Sequence, residues 1–228
     1  MARMPRVVVP GYPHHVTQRG NRRQKTFFCD DDYRYYIQLL SEAVATSDAE
    51  IWAYCLMPNH VHLVMVPGDE DGLRAVLGEA HRHYTRHINF REGWRGHLWQ
   101  ERFHSFVMDE QYLLATVRYV ERNPVAARLC RHPIDWPWSS AAAHIAGIDD
   151  SLVSVRPMLE RIDDWEAYLS VVQETQITHQ YIQQHIQQHT RTGRPLGNNQ
   201  FIAELESLTG KALARKKPGR KPMVNAEK

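Results

Sequence analysis

Two histidines one residue apart are the side chains best placed to do chemistry: His60 and His62, in the run Tyr54-Cys55-Leu56-Met57-Pro58-Asn59-His60-Val61-His62-Leu63-Val64. Side chains alternate across a strand, so both imidazoles leave one face, about 6.6–6.8 Å apart along it. Two such rings can converge on a cation while Val61 and Leu63 point into a core. The plainer reading is a pair of half-exposed strand residues, since 14 histidines make a chance His-x-His unremarkable. A second element is Tyr119-Val120-Glu121-Arg122-Asn123-Pro124. Tyr119 and Asn123 are i and i+4 and share a helical face, which sets a phenolic nucleophile one turn from a neutral oxygen ligand. Here the plainer reading is a packed tyrosine and an Asn-Pro helix stop. Cys55 and Cys130 lack a basic partner in sequence, and there is no Gly-x-Ser-x-Gly motif.

These residues need elements to hold them. His14–Arg19 reads as a strand, followed by a Gly20-Asn21-Arg22-Arg23 loop. Asp30, Asp31 and Asp32 suit an N-cap and first turn, and apolar spacing predicts a helix from Tyr33 to about Thr46. Glu50–Leu56 and His60–Val66 form an expected antiparallel hairpin across Met57-Pro58-Asn59. A second helix is predicted from Gly72 to about Phe90, and an extended run from His97 to Met108. A third helix opens at Asp109 and Glu110 and is expected to stop near Asn123, ahead of Pro124. The order β-α-β-β-α-β-α is the split βαβ, ferredoxin-like pattern of an α+β protein, with an antiparallel sheet, helices on one face and the other face free for a site. A Trp/Pro corner (Asp135-Trp136-Pro137-Trp138) leads to a short helix ending near Ala146. Helical material is predicted from Asp164 to about His189, then a Thr190–Gly197 linker and a short helix over Phe201–Leu208.

The 228 residues, 43% hydrophobic and 10% aromatic, support a real core and exclude global disorder. No apolar run has the length of a membrane span or a signal peptide, and three distant cysteines make no disulfide framework, so a cytoplasmic protein is expected. The net charge of +2 conceals +6 in residues 1–25, −10 in 26–190 and +6 in 191–228. Basic ends on an acidic middle suit arms that meet a polyanion.

Taken together, His60-Val61-His62 and Tyr119-Val120-Glu121-Arg122-Asn123-Pro124-Val125 resemble the signatures of the IS200-like transposase superfamily, single-tyrosine HUH (His-hydrophobic-His) nucleases. Thr17-Gln18-Arg19-Gly20-Asn21, Leu56 to His62, Trp99-Gln100-Glu101-Arg102-Phe103 and Asp135 to Ser140 add to the likeness, which covers about residues 5–147. The fit is best to the chromosomal branch, the REP-associated tyrosine transposases. The resemblance implies that His60, His62 and Asn123 hold a divalent cation, magnesium or manganese. It implies that Tyr119 attacks single-stranded DNA at a hairpin-associated site, leaving a 5′-phosphotyrosine link and a free 3′-OH. The protein would act as a monomer or homodimer; the alternative is a catalytically silent DNA-binding regulator on the same fold.

DNA contacts are expected from Arg19, Asn21, Arg22 and Arg23 around the first loop, from Arg102, which shares a strand face with His104, and from Arg118 and Arg122 beside Tyr119. Lys216, Lys217 and Arg220 would contribute from a basic tail, where Pro218 to Pro222 weakly resembles a minor-groove hook. Trp99 and Phe103 are expected in the core. The expected layout is a catalytic domain over 1–150, a helical extension over 151–190 and a partly disordered DNA-binding tail over 191–228.

Overall fold

The computed structural model describes residues 6–170 and 175–214, with only the backbone for 175–182. Four strands form an antiparallel sheet: β1 (His14–Arg19), β2 (Glu50–Met57), β3 (His60–Val66) and β4 (His104–Val107), in the order β2-β3-β1-β4. That order, with crossovers through α1 (Asp30–Ala45) and α2 (Gly72–Glu92), is the ferredoxin-like arrangement expected from the sequence. Asp32 fixes the start of α1: its carboxylate accepts the Phe28 N–H at 2.7 Å and the Cys29 N–H at 3.3 Å.

Alternation along the strands sorts side chains between two cores. Val16, Leu63, Met65, Leu56 and Val61 pack with Tyr36, Leu40, Leu77 and Tyr84 of α1 and α2. Ala53, Cys55, Val64 and Phe106 face the other way and pack on Leu113, Val117 and Val120 of α3 (Glu110–Ala126). The second face is therefore not left free, as the sequence reading had it. It is covered by α3 and, beyond it, by α6 (Trp165–Ser170) and α7 (Thr175–Thr192), and stays open only toward the β1–β3 end. Between α3 and α6 run α4 (Ala141–Ala146) and α5 (Arg156–Leu159). The free edge of β2 is covered by the Trp/Pro corner: Leu56 N–H donates to Trp138 O at 2.8 Å, and Cys55 pairs with Ser139.

Three boundaries differ from expectation. The extended run from His97 shrinks to four residues of β4, because Gly96 (φ 92°) and Glu101 (φ 58°) turn the chain to bury Leu98, Trp99 and Phe103. Arg102 consequently lies ahead of the strand and shares no strand face with His104. Helix α3 passes through Pro124, since a proline in the last turn removes only one N–H while Ala127, Arg128 and Leu129 still donate to Asn123, Val125 and Pro124 carbonyls. The expected linker after Thr190 is part helix and part sheet edge: Leu196 forms a parallel bridge with Met108. Helix α8 (Asn199–Thr209) then buries Phe201 and Leu205 against Val7, Val9 and Val107. The basic stretch with Lys216, Lys217, Arg220 and the hook-like motif lies outside the described residues.

His14 gives this fold an acid limit. Its ring is fully buried, donates from Nδ1 to Tyr12 O at 2.7 Å and accepts the Val9 N–H at Nε2, an arrangement only the neutral ring can make. Burial lowers its pKa to about 4, and burial lowers that of His15 to about 3. Unfolded histidine titrates near 6.5. The unfolded state therefore takes up protons first, and stability present above about pH 6.5 is lost as pH falls toward 4. Each ring contributes on the order of 1–2 kcal/mol of loss by about pH 5. Urea unfolding at pH 7.5, 6 and 5 should show a falling midpoint; a constant midpoint would contradict this burial.

Candidate active site

Strand register brings the site residues into line. His62 pairs with Thr17 of β1 and Cys55 of β2, His60 pairs with Arg19, and Thr17 also pairs with His104 of β4. Thr17, Arg19, His60, His62 and His104 thus leave one face at the open end of the second layer. They line a cavity of about 510 Å³, with Tyr119 and Asn123 of α3 above them. The His60 and His62 rings lie 4.9 Å apart between centroids at 79°, and Tyr119 stands over His62 at 5.7 Å and 90°. The sequence-predicted pair and the i, i+4 pair therefore meet.

Each histidine has one ring nitrogen engaged. His60 donates from Nδ1 to Asn59 Oδ1 at 2.6 Å, which leaves a lone pair on Nε2. His62 Nδ1 lies 3.0 Å from His15 Nε2, and the two rings stack at 5.2 Å. His15 Nδ1 is buried with no partner among the described residues. If His15 donates, the proton of His62 sits on Nε2 and the ring is no ligand. If His62 donates, its Nε2 is free and His15 must hold its own proton on the orphaned nitrogen, at a cost of about 1–3 kcal/mol. Cation binding at His62 therefore selects the tautomer in which His62 donates from Nδ1 to His15. His15 was missed from the sequence; its signal was its alternation with Thr17 and Arg19 on the face of β1 opposite Val16.

Burial is the largest cause holding both candidate ligands neutral. It lowers His60 to about 4, helped by the Arg19 charge, and His62 well below its ordinary value, helped by His60, His15 and Arg19. Neutral imidazole is the form that binds a cation. Among the described residues no group of three His, Cys, Asp or Glu could hold a metal. The donor set on offer is two imidazoles and the Asn123 amide oxygen, which fits a divalent cation that completes its shell with water or phosphate oxygens.

Tyr119 is 8% exposed. Burial raises its pKa, while a hydrogen bond from the Asn123 side chain and the charge of Arg19 pull it back. Asn123 also reaches the Tyr119 carbonyl at 3.5 Å. Helix α7 supplies the outer wall through Gln183, Ile186, Gln187, Thr190 and Arg191. That polar stripe at helical spacing was legible in the Gln/His-rich tract but was read only as a helix.

Of the arginines expected at DNA, Arg19 and Arg23 line the cavity and Arg22 is exposed beside it. Asn21 is tied into the turn, its N–H donating to Leu98 O at 2.8 Å. Arg102 borders a smaller recess with Arg6, His104 and Thr190. Arg118 and Arg122 do not line the cavity. They turn toward α6, where Arg118 stacks over Tyr168 at 5.0 Å and Arg122 donates to the Leu169 carbonyl. Around the helix Arg118 (i−1) lies about 100° and Arg122 (i+3) about 60° to one side of Tyr119, while Asn123 (i+4) lies about 40° to the other.

The His15 contact makes a measurable prediction. His15→Ala should weaken Mn²⁺ binding by about 10–100-fold, as loss of a ligand's outer partner does, with the circular dichroism spectrum unchanged. Titration calorimetry with Mn²⁺ reads this directly; unchanged affinity would remove His15 from the site.

Residues 9–123 match the family model described as "Transposase IS200 like". A Haemophilus influenzae protein named for the REP-associated tyrosine transposases is 28% identical over 102 residues, which is 40% of this chain and 58% of that protein. The chain thus spans a little over half the length of that relative. A solved structure described as a REP-associated tyrosine transposase bound to a REP hairpin superposes with a TM-score of 0.56 at 21% identity, over 68% of this chain and 92% of that one. This likeness shows the ferredoxin-like fold. Among the described residues no helix is long and apolar enough to cross a membrane.

Proposed function

The chain belongs to the IS200-like transposase family, and from that premise we propose that it cleaves and rejoins single-stranded DNA at hairpin-associated sites through a 5′-phosphotyrosine intermediate. The observation that carries this reading is Tyr119 standing over His62, 5.7 Å away, inside one polar cavity that also holds His60 and Asn123. The hairpin substrate is suggested by the solved relative, which is described as bound to a REP hairpin.

In this reading Tyr119 Oη attacks the scissile phosphorus. The bond to the 3′-oxygen breaks, the phenol gives up its proton and the leaving oxygen gains one as a 3′-OH. One phosphoester replaces another, so the energy of the bond is kept and the reverse attack by a 3′-OH reseals DNA without a nucleotide cofactor. Asn123 and Arg19 favour the phenolate against the effect of burial. His60, His62 and Asn123 would hold a divalent cation, magnesium or manganese; when bound it would polarise the phosphate and offset charge on its oxygens. His15 fixes the His62 ring, and Arg19 and Arg23 hold phosphate oxygens at the cavity mouth. The catalytic side chains come from residues 1–150, with 151–190 as an extension whose α7 walls their cavity and the basic 191–228 as DNA-binding arm.

Incubation with a labelled hairpin oligonucleotide and Mn²⁺ should give a denaturation-resistant protein–DNA adduct. Tyr119→Phe should abolish the adduct while hairpin binding changes by less than about twofold, and chelation should abolish it in the unaltered protein. An undiminished adduct with Tyr119→Phe would refute the assignment. Binding with no adduct under any condition would favour a silent DNA-binding regulator.

A further inference from the structure

The turn after β1 and the loop after α2 meet on the surface beside the cavity. Gly20 ends β1 with its N–H on Asn59 O at 2.8 Å. A Cβ there would lie 2.4 Å from the Gln24 carbonyl oxygen and 2.7 Å from the Thr26 methyl, so only glycine lets the chain double back this tightly. At the tip, Arg22 and Arg23 both have positive φ, 53° and 61°. That conformation costs about 1–2 kcal/mol per non-glycine residue. Strain held in two adjacent exposed arginines marks the turn as shaped for contact rather than for packing.

The facing loop is stitched to this turn. Asn21 donates to Leu98 O, and Trp94 N–H donates to Asn89 O at the end of α2. Trp94 is 42% exposed and meets Phe28, 41% exposed, edge to face at 5.8 Å. Arg91 lies over the Phe28 ring at 5.6 Å, and on the same turn and loop Arg22, Arg23, Lys25 and Arg95 are exposed and make no ion pair with any described residue. The nearby acids are already engaged: Asp32 and Glu92 by Arg91, Asp30 and Asp31 by Arg34. The Arg23 carbonyl accepts from Asn59 Nδ2 at 3.1 Å, one residue from His60, so the surface runs without a break into the cavity.

We infer that this ridge is a binding site for single-stranded DNA. Bases stack on Trp94 and Phe28, Arg22, Lys25 and Arg95 take phosphates, and the strand passes over Arg23 to His60 and His62. Exposed rings among unpaired cations are the recurring composition of single-strand platforms, because every base has a stacking face and every nucleotide a charge. A duplex stem offers its charge but hides its base faces. The inference rests on the reading of the cavity as a single-strand nuclease.

The test uses the full chain carrying Tyr119→Phe, so that no cleavage intervenes, and fluorescence anisotropy with a hairpin bearing a single-stranded tail and the same hairpin without it. Phe28→Ala and Trp94→Ala should each weaken the tailed probe by roughly five- to a hundredfold and leave the blunt one within about twofold. Trp94→Phe should restore most of the loss, and its thermal melt controls for folding. Arg22→Ala with Arg95→Ala should reduce the salt dependence of tailed binding by about 1–2 in log–log slope. Unchanged affinity for the tailed probe in both alanine variants overturns the inference, and equal loss on both probes overturns it in favour of a stem-binding surface. The adduct assay separates the two readings. With Tyr119 intact, normal adducts and normal tail binding in the ridge variants fell the ridge alone. A Tyr119→Phe adduct beside lost tail binding fells only the nucleophile.

Discussion

The site depends on one buried carboxyl group. Glu121, fully buried on α3, accepts from Ser140 Oγ and His144 Nδ1 at 2.6 Å each and from Trp165 Nε1 at 2.7 Å. Ser140 in turn accepts the Tyr54 N–H of β2 at 3.0 Å. A single side chain therefore ties the tyrosine helix to the sheet edge, to α4 and to α6. A buried network of this kind fixes geometry because removing any member leaves the others unpaired in a low-dielectric interior. Tyr119 is two residues from Glu121, so the helix rotation that satisfies the carboxyl also sets the phenol over His62.

Burial does the rest of the electrostatic work. His15, His60 and His62 are kept neutral by desolvation, and Arg19 sits close enough to oppose protonation of His60 and His62 and to favour the Tyr119 phenolate. One arginine thus favours the deprotonated form of the two candidate ligands and of the candidate nucleophile alike. Its partner strand position, opposite His60, is a consequence of register alone.

Much of this was legible in the sequence, because strand alternation and helical spacing are local rules. His60 and His62 shared a face, Tyr119 and Asn123 shared another, and the β-α-β-β-α-β order required the sheet that joins them. What local rules could not supply was the side of the sheet on which α3 lies, so the face expected to be open proved to be covered. The same gap misplaced Arg118 and Arg122: adjacency to Tyr119 in sequence put them on the α6 side of the helix. His15 and Gln187 act through long-range neighbours, a ring from β3 and a cavity assembled from β1, β3, β4, α3 and α7, so the spacing on their own segments placed them on a face without saying what that face meets.

Glu121 holds Tyr119 above the histidine pair of the same molecule, the arrangement of a site that one chain would complete by itself. Mixing a Tyr119→Phe variant with a His62→Ala variant, in Mn²⁺ with a labelled hairpin, tests it most directly. A site built within each chain gives no covalent adduct in the mixture, as in either variant alone. Adduct recovered on mixing, carried by the chain that retains Tyr119, would show that the phenol serves another molecule's histidines.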